Sequence, residues 1–122
     1  MKLTTKECIG IVKGIDEIGL HKMGIKTAYK LLRTQDSLKL TNDSYARIEH
    51  SLIEECIDKE ASEGLSEGSF KLLPEKAEYY RDKIADALNE TIEINLETLK
   101  LDELEGIEMT LDTLKLLKPI IE

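Results

Sequence analysis

The chain has 122 residues, 41% of them apolar and 34% charged, with a formal net charge of −8. That length supports one modest core, and that balance is globular rather than disordered. No apolar run reaches the roughly 20 residues of a membrane-spanning helix, and the start, MKLTTKECIG, lacks a signal peptide's apolar centre, so a cytosolic protein is expected.

In chain order, Thr4 with Glu7 three residues on forms a capping-box pattern that opens a first helix. Ile9, Val12, Ile15 and Ile18 recur at helical spacing, with Ile11 widening the face. Gly10 and Gly14 each cost about 1 kcal/mol relative to alanine in a helix. A pair of weak positions is the plainer reading, and a place where another backbone comes close is the alternative. Gly19 or Gly24 ends this N-terminal helix, within residues 1–23.

A second run, residues 24–62, carries Ala28, Leu31, Gln35, Leu38, Tyr45, Ile48, Leu52 and Cys56 at three- and four-residue steps. Thr41, Asn42, Asp43 and Ser44 are better caps than interior residues. A nearly continuous long helix is expected, with a kinked pair broken there as the close alternative. Residues 63–73, with Gly64 and Gly68, read as a connection in which Phe70 and Leu72 alternate as a short strand. Pro74 suits the first turn of a helix over 74–90, with Ala77, Tyr80, Ile84, Ala87 and Leu88 inward. This helix is expected to fold back antiparallel along the long one.

Residues 91–98, TIEINLET, switch to period two: Ile92, Ile94 and Leu96 on one face, Glu93, Asn95 and Glu97 on the other. The only evident strand partner is FKLL at 70–73, with its direction open. In the closing segment, 99–122, Asp102 caps a single turn that Gly106 ends. Thr110 then caps a last helix with Leu111, Leu114, Leu117 and Ile120 inward, and Pro119 marks its end. The fold class expected is mainly α: a long helical hairpin with N- and C-terminal helices and a small two-stranded sheet, all in one domain.

Aromatics are scarce, with four Tyr, one Phe and no Trp, so the core must be aliphatic. Cys8 and Cys56 stand far apart without a CxxC and read as two reduced, packed thiols. His50 and Glu54 share a helix face at i, i+4, but a third ligand is missing, so no metal site and no cofactor is expected. His21 lies in a different segment. There is no phosphate-binding glycine loop and no nucleophile–base motif. An enzyme is not expected.

Two charged constellations remain. Residues 1–40 hold eight Lys/Arg and four Asp/Glu, a balance of +4; residues 41–122 hold nine and 21, a balance of −12. Lys22, Lys26, Lys30 and Arg33 fall on one helical ridge. They read either as a phosphate-contacting face or as charge that offsets the acidic half of the same chain. No aromatic platform accompanies them, so direct nucleic-acid binding is not expected. Glu93, Glu97, Asp102, Glu103 and Glu105 form an acidic edge, either a solubilising surface or a dock for a basic partner surface.

The order AYKLLRTQDSLKL, YARIEHSLIEECIDKE, a Gly/Ser connection, EYYRDKIADALNETIEINLETLKLDELEGIEMT and LDTLKLLKPII resembles a group of short helical proteins of tailed bacteriophages and prophages of Gram-positive bacteria. The tail, LKLDEL and GIEMT before a leucine-rich helix, carries most of the likeness, which covers residues 24–122. The group has no assigned activity, so the resemblance transfers no functional residue. It implies a phage gene product acting in the host bacterial cytoplasm.

The reading that follows is a small acidic binding factor that engages a host or phage protein without catalysis, for instance as an inhibitor of a host defence or nucleic-acid-handling enzyme. The alternative is a virion or tail-assembly component. A homodimer is compatible with either.

Overall fold

In the computed structural model, residues 1–19 and 23–122 are described; His21 and Lys22 lie outside them. The capping box at the start forms as expected. Thr4 Oγ1 accepts from Glu7 N at 3.1 Å, and Thr4 N donates back to Glu7 Oε1 at 3.0 Å. The helix it opens, α1 (Thr5–Ile18), ends at Gly19, whose φ of 70° suits glycine. Its fully buried stripe is Cys8, Ile11, Ile15 and Ile18. Ile9 and Val12, expected on that face, sit at its half-buried margins.

At Gly10 and Gly14 another helix does come close, through its leucine side chains rather than its backbone. The C-terminal helix α5 (Leu111–Leu117) lies directly on them. A Cβ at Gly14 would stand 3.0 Å from Leu117 Cδ2 and 3.3 Å from Leu116 Cβ. Thr113 Oγ1 donates to Glu17 Oε2 at 2.6 Å, tying the same two helices at their edge.

The long run is a single helix, α2 (Ile25–Cys56), of 32 residues, or roughly 48 Å at 1.5 Å per residue. Residues 41–44 do not break it. Lys39 Nζ bridges Asp43 Oδ2 at 2.8 Å across this stretch. Asn42 Oδ1 is buried with no hydrogen-bond partner among the described residues. Such a group costs about 1–3 kcal/mol, a local penalty that the flanking turns of the helix outweigh. Leu31, Thr34, Leu38, Leu52 and Cys56 are its buried positions. Thr34, absent from the expected stripe, hides its hydroxyl by donating to Lys30 O at 2.9 Å.

Asp58 caps the short α3 (Lys59–Ser62), and Pro74 opens a 3-10 turn that leads into α4 (Ala77–Asn89). α4 runs antiparallel to α2. Lys76 Nζ reaches Glu55 O, Lys83 lies beside Leu52 and Arg47, and Ala87 lies opposite Tyr45 and Ile48. Ala77, Tyr80, Ile84, Ala87 and Leu88 face inward but stay half-buried.

The expected strand pairing is corrected. β2 (Thr91–Glu93) pairs antiparallel with β1 (Lys2–Thr4), in the register Lys2↔Glu93, Leu3↔Ile92 and Thr4↔Thr91. The FKLL segment instead closes on the end of α2 through an Ile57↔Leu72 bridge and the bond Leu73 N to Cys56 O, 2.8 Å. Topology explains the choice. β1 runs straight into α1 and β2 straight out of α4, so Thr5 N and Oγ1 both bond Glu90 O, at 2.8 and 3.0 Å. The ladder is also shorter than residues 91–98. Leu99 leaves it to pair in parallel with Ile121.

Asp102 does not cap the 3-10 turn Leu101–Leu104; it sits inside that turn, and Lys100 occupies the cap position. Thr110 caps α5 as expected, and Pro119 lies in the 3-10 turn Lys118–Ile120 that follows. Leu117 and Ile120 are buried, whereas Leu111, expected inward, is exposed. The architecture is mainly α with a small antiparallel sheet. Its aliphatic core gathers Leu3, Cys8, Ile11, Ile15, Leu31, Leu38, Leu99, Leu104, Leu117 and Ile120. Both cysteines are free and buried. No helix among the described residues is long and apolar enough to cross a membrane.

Candidate functional site

The acidic edge and the basic ridge meet each other. After β2 the chain crosses the first half of α2, and there Arg33 grips Glu97 with two bonds, Nε to Oε1 at 2.6 Å and Nη2 to Oε2 at 3.1 Å. Lys30 Nζ lies 2.9 and 3.1 Å from the two carboxylate oxygens of Glu103, which also accepts from Lys100 N at 3.3 Å. The hydrogen bond from Arg33 holds the Glu97 carboxyl below its ordinary range, and that from Lys30 does the same for Glu103. Glu93 stands across the sheet from Lys2 and 3.5 Å from the Met1 amine.

Of the five acids expected to form a docking edge, Glu93, Glu97 and Glu103 therefore face cations of the same chain. Asp102 and Glu105 are exposed, with no ion pair among the described residues. On the basic ridge Lys30 and Arg33 are engaged and Lys26 is exposed, while Lys22 lies outside the described residues. For Lys30 and Arg33 the offsetting role weighed for this ridge is the arrangement found.

A second surface emerges where α2, α4 and β2 converge. Leu40, Tyr45 and Ile48 of α2 face Ala87 of α4 and Ile92 of β2 across a groove of about 560 Å³. Its physical origin is a size mismatch. Ile48 was expected to bury against the neighbouring helix, but α4 presents the small Ala87 there, and Ile48 stays 47% exposed. Leu40 at the mouth is 75% exposed.

Asp86 and Glu90 also line the groove, and neither has an ion-pair partner among the described residues. The Tyr45 hydroxyl donates to Glu49 Oε2 at 3.0 Å. Burial, with Glu49 adding to it, pushes its pKa up to about 12.

A third surface unites residues too distant in sequence to be associated beforehand. α1 and α5 place Lys6, Lys115 and Lys118 around a groove of about 540 Å³ floored by Gly10, Leu116 and Pro119. Glu7, the acid beside them, is occupied in the cap with Thr4. His50 Nε2 and Glu54 Oε1 are 3.1 Å apart on the exposed face of α2. No group of three or more potential metal ligands occurs among the described residues.

The α2–α4 groove was missed in the sequence because it needs Leu40 and Ile48 to stand opposite Ala87. The available signal was an apolar pair on α2 facing a helix with alanines at 85 and 87. Fold and surfaces together define a small, mainly helical protein with an apolar, acid-rimmed groove. Comparison with protein-family models, curated proteins and solved structures finds no match to this chain.

Proposed function

We propose that this chain is a non-catalytic binding factor of phage or prophage origin, acting in the host bacterial cytoplasm on a host or phage protein that presents a basic surface. One observation carries the reading. Leu40 and Ile48 remain exposed beside Asp86 and Glu90, two carboxylates without internal partners among the described residues. An exposed apolar patch rimmed by polar groups is one physical signature of a binding surface. The resemblance of residues 24–122 to phage proteins supplies the context, and inhibition of a host defence or nucleic-acid-handling enzyme is the role proposed within it.

The internal ion pairs decide which variant is informative. Reversing Glu97 or Glu103 would set like charges against Arg33 or Lys30 and would probe folding rather than docking. The informative variant is Asp86→Lys with Glu90→Lys, compared with wild type in pull-downs from host lysate. A partner retained by wild type and lost by the variant supports the reading. If wild type retains no protein above background, the reading falls.

The alternative is a virion or tail-assembly component. Ile25, Tyr29 and Leu32, spaced four and three apart on the outer face of α2, are 73%, 57% and 41% exposed, an apolar stripe suited to copies of the same chain. Light scattering after size exclusion separates the two: rings or larger assemblies favour the alternative, a monomer or small dimer the binding factor.

A further inference from the structure

We infer that the α2–α4 groove is the docking site for an amphipathic helix of a partner protein, one that carries lysine or arginine on successive turns beside its apolar face. The inference rests on the binding-factor reading above and names the recognised element. The chemistry of the groove selects the occupant. Leu40 and Ile48 are two turns apart on α2, about 12 Å at the helical rise. That distance admits two turns of a docked helix and two of its apolar anchors. Ala87 leaves the room they would fill, and Ile92 adds to the apolar lining.

Charge sets the sign of the partner. Asp86 and Glu90 are one turn apart at the C-terminal end of α4, with Glu90 as the C-cap. Side chains four apart on a helix project as neighbours, so the two carboxylates match cations on consecutive turns of a docked helix. The carbonyl end of α4 is itself met by the first turn of α1, through Thr5 N and Oγ1 at Glu90 O. No basic residue occupies the last turn of α4 to neutralise the two side chains. Two carboxylates thus stand on the rim of an apolar groove. An acidic helix would be repelled there, and a purely apolar one would leave the carboxylates desolvated without partners.

The test uses the full chain and two fluorescein-labelled helical peptides with the same leucine stripe, one with lysines and one with glutamates on the flanks. Fluorescence anisotropy should show saturable one-to-one binding of the lysine peptide and at least ~10-fold weaker binding of its glutamate twin. Asp86→Lys with Glu90→Lys should weaken the lysine peptide by at least ~10-fold as well. Leu40→Ser, at an exposed position, should weaken it while circular dichroism stays unchanged. Amide shifts on binding should map to Leu40, Ile48 and Ala87. Failure of the lysine peptide to bind, equal binding of the two peptides, or unchanged binding by the variants overturns the groove assignment. A partner captured equally from lysate by wild type and by the Asp86→Lys, Glu90→Lys variant would also overturn it, yet leave the broader binding-factor reading standing.

Discussion

Arg33 and Glu97, 64 positions apart, are joined by a two-pronged ion pair with bonds of 2.6 and 3.1 Å. The contact fastens the segment leaving β2 across the first half of α2. One turn away on α2, Lys30 holds Glu103 in the same manner. Charges that look in sequence like two separate docking faces serve in large part as one internal clasp.

Acid should open that clasp. Glu97 and Glu103 titrate below the ordinary carboxylate value of 4.5 when folded. Their stabilisation is complete above about pH 4.5 and is lost as pH falls through the lower folded values, where the native state must also take up the protons. Melting temperature measured by circular dichroism from neutral to acidic pH should drop below pH 4.5. The Glu97→Gln, Glu103→Gln double variant should be less stable at neutral pH and show a shallower acid limb. Parallel curves would mean that the clasp contributes nothing.

Exchange of the half-buried pair tests it independently. Lys30→Glu alone brings a second carboxylate to Glu103, and Glu103→Lys alone brings a second ammonium to Lys30; each should lower the melting temperature. Combining them restores opposite charges and should recover part of the loss, the remainder reflecting the bond from Lys100 N that Glu103 also accepts. Strict additivity of the two losses would count against the pair.

The two glycines of α1 should respond differently to alanine. At Gly14 a Cβ meets Leu117 Cδ2 at 3.0 Å and Cγ at 3.1 Å, atoms of a fully buried side chain. Overpacking of about 1–3 kcal/mol there should exceed the helix-propensity gain of about 1 kcal/mol and leave a net loss of up to about 2 kcal/mol. At Gly10 the one close atom is Leu116 Cδ2 at 3.2 Å, the tip of a half-buried side chain. Gly10→Ala should be neutral or slightly stabilising in urea denaturation. A stabilising Gly14→Ala would show that α5 sits farther from α1.

Alkali should reveal Tyr45. Its folded pKa of about 12 exceeds the ordinary 10.0, so the native state keeps a proton that the unfolded chain gives up. That contribution is present below pH 10 and is lost as pH rises from 10 towards 12. Ultraviolet phenolate titration should show a late phase whose last part Tyr45→Phe removes, Tyr80 being raised by burial as well. Persistence of that last part in the variant would place it on another tyrosine.

Much of the fold was legible because it is written locally. Thr4 with Glu7, Thr110, Gly19 and Pro74 mark helix ends through bonds and backbone angles within a turn of themselves. The stripe through Leu31, Leu38, Leu52 and Cys56 announces a buried face by spacing alone. Residues 41–44 left a break open because their capping preference is real, but the core on either side of them favours the continuous helix. The strand partner was missed because three residues, Lys2–Thr4, carry too little alternation to register. The groove was missed because it depends on what Ala87 fails to fill.

The sequence by itself determined the mainly helical class, the aliphatic core, and the uneven charge of its two parts. Tertiary structure decided which charges meet, that β1 and not residues 70–73 pairs with β2, and where apolar surface remains uncovered. The physical reason is range. Helix propensity, capping and periodicity act over a few residues, whereas Arg33–Glu97, Lys30–Glu103 and the α2–α4 groove exist only once packed helices set the distance between remote side chains.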